Sequence, residues 1–191
     1  MLGKLSITST YPRATQVTEE YRRWVVGQSK ANLGRGSNSA SGALKSSVKG
    51  YIKKRFNRGV GGMFTGGTTL PSLRFEYLKY GDFIDEGVQG SETTYSESMG
   101  SEYKYRNGFK SVPVKAIQAW CAQRGLPKSM AFVVARSVYK KGIKAKKWFT
   151  TPFESRFGLF VRRYHSAVAD DIQNNIANKM AKKLKQNKLK K

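Results

Sequence analysis

Disulfides and zinc sites are the first things this sequence lacks the means to make. Cys121 is its single cysteine and His165 its single histidine, so it has neither a pair for an intrachain bridge nor four ligands for a structural zinc. One imidazole also speaks against Cys–His or Ser–His catalysis. No run approaches the ~18 apolar residues of a membrane span. The opening Met-Leu-Gly-Lys-Leu-Ser-Ile-Thr-Ser-Thr-Tyr-Pro has no apolar core of a leader, so no cleaved signal peptide is expected. Acids are scarce as well: 12 Asp and Glu stand against 36 Lys and Arg, a formal charge of +24 in 191 residues.

What is present is aromatic and basic. Ten Phe, ten Tyr and three Trp argue against a fully disordered chain, and the length suits one domain, or one domain with tails, that needs no staple to fold. The charge is segregated. Tyr21–Phe75 has eleven bases and no acid; Glu76–Glu102 has seven acids and one base, Lys79; Tyr103–Phe153 has twelve bases and no acid; Lys179–Lys191 has seven lysines in thirteen residues. A polyanion partner accounts for such a balance. So does an acidic stretch on one copy set against a basic stretch on the next, a head-to-tail contact of the kind that closes rings. A merely solvated surface is a weak account at +24, because it would bind nucleic acid in any case.

Periodicity and punctuation suggest an α+β chain. Residues 2–14 read as an extended arm. Thr18, followed by Glu19 and Glu20, reads as the start of a helix ending near Leu33. Residues 34–42 read as a loop, Leu44–Phe56 as helix or strand, and Asn57–Thr69, with five glycines, as a flexible hairpin tip. Leu73, Phe75 and Tyr77 alternate as in a half-exposed strand. Lys79–Glu86 reads as a helical turn closed by Gly87, Gly90–Gly100 as a long surface loop, and Glu102–Arg106 as a short strand before a turn at Asn107-Gly108. Val114–Gln123 reads as a helix stopped by Gly125. Pro127 is placed at the first position of the next helix, with Met130, Val133, Val134 and Val138 as its inner stripe and Gly142 as its end. A last helix begins at about Pro152 or Ser166 and runs to Leu184. Its Val168, Ile172, Ile176, Met180 and Leu184 form a narrow stripe suited to docking on one neighbour, with Asp170 and Asp171 near its start.

Little catalytic chemistry is legible. The glycines of residues 59–67 lack the Gly-Lys-Ser/Thr of a phosphate loop. Asp82, Asp85 and Glu86 share one face of a turn, but a helix surface or subunit contact explains them better than a divalent-metal nuclease. His165 has no nearby acid in sequence and reads as a surface or interface residue, Cys121 as a small buried hydrophobe, and Trp148-Phe149 as a buried anchor in preference to a base-stacking pair.

The order of features nonetheless has a parallel. A first helix is followed by Ser41-Gly-Ala-Leu-Lys-Ser-Ser-Val48. A strand then leads to Tyr80-Gly-Asp-Phe-Ile-Asp-Glu-Gly-Val-Gln-Gly90. The helix around Trp120 precedes Ala131-Phe-Val-Val-Ala-Arg-Ser-Val138, Gly142-Ile143 and Trp148-Phe-Thr-Thr-Pro-Phe153. Across Thr18–Tyr164 the chain resembles the tail-completion, or head–tail joining, proteins of tailed bacteriophages. The resemblance implies a small antiparallel β-sheet flanked by helices over residues 18–165, after an arm of residues 1–17 and before a basic helix and tail of residues 166–191.

It further implies a non-enzymatic neck protein without cofactor or metal, in the virion and, during assembly, in the host cytoplasm. It would form a ring, a hexamer or dodecamer, between the portal or adaptor and the tail terminator or tail tube. That ring would surround double-stranded DNA non-specifically, with no membrane involved. On this view Lys45, Lys49, Lys53, Lys54, Arg55, Lys140, Lys141, Lys144, Lys146, Lys147, Lys182, Lys183 and Lys185 face DNA or an acidic partner. Asp82, Asp85, Glu86, Glu92 and Glu97 face a neighbouring subunit. The rival reading is a freestanding, sequence-nonspecific DNA- or RNA-binding protein.

Overall fold

Helix formation begins earlier than the capping pattern suggests. In a computed structural model, which describes residues 11–34, 42–56, 68–105, 108–109 and 112–188, the first helix is α1 (Pro12–Gly34). Pro12 stands at its first position, where a missing N–H costs nothing. Thr18 is therefore no cap. It is buried in mid-helix, and its Oγ1 donates to the Ala14 carbonyl at 2.7 Å. The remaining elements are α2 (Ala43–Ser47), β1 (Lys49–Phe56), β2 (Thr68–Glu76), α3 (Tyr80–Asp85), β3 (Val88–Gln89), a 3-10 turn (Ser96–Ser98), α4 (Val114–Gln123), α5 (Met130–Lys141), β4 (Gly142–Ile143) and α6 (Thr150–Lys188). The expected α+β class is found: two small two-stranded sheets, β1–β2 and β3–β4, amid helices. The ambiguous Leu44–Phe56 holds both a helix and a strand. Of the expected arm at 2–14, loop at 34–42 and hairpin tip at 57–69, residues 12–14 and 34 belong to α1 and 68–69 to β2, while 2–10, 35–41 and 57–67, with Asn107 of the expected turn, lie outside the described residues.

The chain divides into two compact units. One comprises Met1–Val26, Gly50–Phe75 and Glu154–Lys191; the other comprises Gly27–Lys49 and Glu76–Phe153. The boundaries expected after residues 17 and 165 both fall inside helices, α1 and α6.

In the first unit, α1 presents Ala14, Tyr21 and Val25 as buried residues. The Tyr21 ring stacks on Phe160 of α6 at 4.4 Å between centroids, inclined by 14°. The Arg156 guanidinium lies 3.5 Å above the Trp24 ring, and Arg163 meets Glu20 at 2.7 Å. Asp171, expected near a helix start, sits deep within α6. It is buried, and its carboxylate accepts the backbone N–H groups of Arg13 (3.3 Å) and Ala14 (3.0 Å). It thus satisfies orphan donors at the start of α1.

The second unit is organised around Trp148, which is 1% exposed. Its Nε1–H donates to the Gly81 carbonyl at 3.0 Å, Tyr77 meets it edge-on at 5.2 Å, and its own carbonyl accepts from Asn32 Nδ2. The anchoring role preferred from sequence is the one observed. β3 and β4 pair antiparallel, Val88 with Ile143 and Gln89 with Gly142. The expected strand at Glu102–Arg106 is reduced to an isolated bridge between Lys104 and Gln89. The loop after β3 is held by serines: Ser98 Oγ donates to the Ile143 carbonyl (2.8 Å) and accepts from the Ala145 N–H (2.9 Å), and Ser101 Oγ donates to the Gly87 carbonyl (2.7 Å).

α4 matches its expected span, and Cys121 is buried on it. α5 starts at Met130, three residues after the proline placed at its first position, because the Met130, Ala131 and Phe132 N–H groups bond three residues back, to Pro127, Lys128 and Ser129, in tight turns that lead into the helix. Its expected inner stripe is rotated. Ala131 and Ala135 are buried and Val134 and Val138 half-buried, whereas Met130 and Val133 are exposed. α5 packs against α4, and its buried residues are the small Ala131 and Ala135 in place of the larger apolar side chains.

Candidate interaction surface

Three kinds of surface occur in the described residues: basic, acidic and apolar. The basic side chains expected to face DNA do not form one set. Lys45 on α2, Lys49 and Lys53 on β1, Lys141, Lys146 and Lys147 around β4, and Lys182, Lys183 and Lys185 on α6 are exposed. Lys54 and Arg55 belong to β1, but their side chains lie outside those described. Two lysines are engaged within the chain. Lys140 Nζ lies 2.7 Å from Glu92, and Lys144 Nζ lies 2.5 Å from Glu97. The lysine beside it holds the Glu97 carboxyl down, to about 2.

These pairs change the reading of the acidic segment. Glu92 and Glu97 face lysines of their own unit. Asp85 is 5% exposed and turned inward. Its carboxylate accepts the Phe149 N–H at 2.7 Å, the Thr150 N–H at 3.3 Å and the Thr150 hydroxyl, which closes the first turn of α6. Asp82 is half-buried and accepts the Tyr77 hydroxyl at 2.8 Å. Burial first, and then that hydrogen bond, pushes the Tyr77 hydroxyl upward. Glu86 and Glu102 remain exposed. The Glu86 carboxyl is raised by desolvation and then by the charges of Glu102, Asp82 and Asp85, the behaviour of like charges held together. Among the described residues no group of three or more His, Cys, Asp or Glu could hold a metal ion, so the Asp82–Glu86 turn supplies no metal centre. A cleft of about 100 Å³ opens beside Trp24 and Arg156, small against the ~300–1,000 Å³ of ligand pockets.

The apolar surface lies on α6. Ile172, Ile176, Met180 and Leu184 are 43–64% exposed along one edge of the helix. From Ile172 to Lys188 there are five lysines and no acid. Lys179 and Lys183 each follow an apolar member, Ile176 and Met180, by three residues, which puts them beside the stripe. The end of α6 is therefore an amphipathic ribbon, apolar at its centre and positive along its margin. His165, on the same helix, is exposed. A smaller apolar patch, Met130, Phe132 and Val133 on α5, was not legible as surface from periodicity. Among the described residues no helix is long and apolar enough to cross a membrane. No protein-family model, curated protein or solved structure matches this chain.

Proposed function

We propose that the chain is a structural protein of the phage neck that assembles into a ring joining the portal or adaptor to the tail and enclosing the genome end. The observation that carries this reading is the exposed stripe of α6. Four large apolar side chains on one helix edge gain little from water and much from a protein neighbour. Phosphate contacts alone give no reason for Ile172, Ile176, Met180 and Leu184 to line up. The resemblance in the order of motifs from Ser41 to Phe153 is what favours a neck protein among ring-forming proteins, and the exposed lysines suit a sequence-blind DNA channel.

The test is mass-spectrometric quantification of the chain in purified phage particles, relative to the major capsid protein. A fixed number on the order of six or twelve copies is expected, as ring symmetry requires. Absence from particles overturns the reading. The exposed lysines of α6 favour one rival, a freestanding DNA- or RNA-binding protein. That rival requires the isolated single copy to bind nucleic acid tightly and with a steep salt dependence. The ring reading expects weak, sequence-blind binding until several copies are held together.

A further inference from the structure

We propose that the apolar stripe at the end of α6 docks on the acidic face around α3 of a second copy of this chain. This inference rests on the ring reading for its choice of a second copy over another acidic protein. The helix supplies Ile172, Ile176, Met180 and Leu184 exposed, with Lys179 and Lys183 at their margin and no acid beyond Asp171. A partner for such a ribbon needs apolar surface ringed by negative charge. The same chain carries both ingredients in one stretch. Leu78 and Tyr80 are about as exposed as Ile172, and they stand in the stretch that holds Asp82 and the exposed Glu86. Glu102 adds to the same negative field: desolvation first, and then the charges of Glu102, Asp82 and Asp85, raise the Glu86 carboxyl. The one base in that stretch is Lys79.

The acids already spent within the chain narrow the choice. Glu92 and Glu97 are paired with Lys140 and Lys144, and Asp85 is enclosed, so Glu86 and Glu102, with Asp82 behind them, are the acids of the segment left facing outward. The two surfaces differ from each other, and the contact is therefore heterologous. Each copy offers a helix to one neighbour and an acidic face to another, which is the arrangement that propagates into a ring. Charge at the rim speeds encounter and sets register, while the apolar centre holds the pair.

The experiment uses the full chain in two variants. Ile176→Asp with Met180→Asp destroys the stripe and leaves the acidic face; Glu86→Lys with Glu102→Lys does the reverse. Wild type is expected to form oligomers at low ionic strength by light scattering coupled to size exclusion. Each variant alone is expected to be monomeric, with unchanged helix content by circular dichroism. Mixed one to one, the two variants are expected to form a dimer and stop there, because each retains one half of the contact. Three results overturn the inference: a wild type that stays monomeric, a stripe variant that still assembles, or a mixture that yields no dimer. If a stripe variant instead loses helix content and stability, the stripe is covered within its own chain, and the inference falls. A chain that passes this mixing test yet is absent from phage particles keeps the interface and loses the neck assignment.

Discussion

The carboxylate of Asp171 in α6 accepts the backbone N–H of Ala14 in the first turn of α1 at 3.0 Å, across 157 residues of sequence. The first N–H groups of a helix have no partner within it, and α1 opens with a proline, not a capping side chain. A buried anion supplied by another helix does the work of a cap, and it also complements the positive end of the α1 dipole.

Asp171→Ala is expected to destabilise the chain by about 1–3 kcal/mol, the usual cost of leaving buried donors unsatisfied. Asp171→Asn keeps one acceptor oxygen and is expected to recover part of that loss. Urea denaturation of the two variants checks both. Equal stability of Asp171→Ala and wild type would show that water satisfies the α1 terminus instead.

Gly142 joins α5 to β4 with φ +80°, and a Cβ there would fall 2.0 Å from the Val88 carbonyl oxygen. Both the left-handed backbone and the neighbouring strand exclude a side chain. Gly142→Ala is expected to cost at least about 2 kcal/mol, from left-handed strain plus the clash. Thermal denaturation measures it. Gly125 also has positive φ, but no atom lies within 4 Å of its would-be Cβ. Gly125→Ala is therefore the milder control.

Glu19 lies within ion-pair distance of Arg22 and Arg23. The Arg22 hydrogen bond in particular lowers its carboxyl from the ordinary 4.5 to about 2. A depressed folded-state value stabilises the protein above the unfolded-state value, and that contribution drains away as pH falls from 4.5 towards 2. Glu19→Gln is expected to lower stability at pH 7 by about 0.3–1 kcal/mol, the scale of helix-surface ion pairs. Near pH 2 the gap to wild type is expected to close. Denaturation curves across that range test it, and a pH-independent gap would assign the loss to packing.

Local features were legible in the sequence because their causes are local. The span of α4 follows from its periodicity and the glycine after it, the α3 turn from its closing Gly87, the burial of Cys121 from its apolar helix side, and that of Trp148 from the usual anchoring role of an aromatic pair even among lysines. Where a distant element decides the outcome, the pattern misleads. The apolar face of α5 reads as Met130, Val133, Val134 and Val138, but the fully buried residues are Ala131 and Ala135, and Met130 and Val133 are exposed. Asp171 reads as a dipole partner at a helix start and is instead a cap for a different helix. Ser98, fully buried between Ile143 and Ala145, gives no sign of that role in a polar, acidic stretch. The stripe of α6 was legible as surface because nothing in its spacing asked for burial. Its pairing with lysines at the margin is visible once one unbroken helix is known to run from Thr150 to Lys188.

The discontinuous first unit imposes an order on synthesis. Its residues come from both ends of the described chain, whereas those of the second unit are all made by Phe153. The Trp148 core therefore has all of its residues before the first unit has its own. The start of α1, although translated almost first, waits for Asp171 before its amides find their carboxylate. A chain truncated after Phe153 would hold every residue of the second unit but lack Phe160 and Asp171, leaving the Tyr21 ring and the first amides of α1 without their partners.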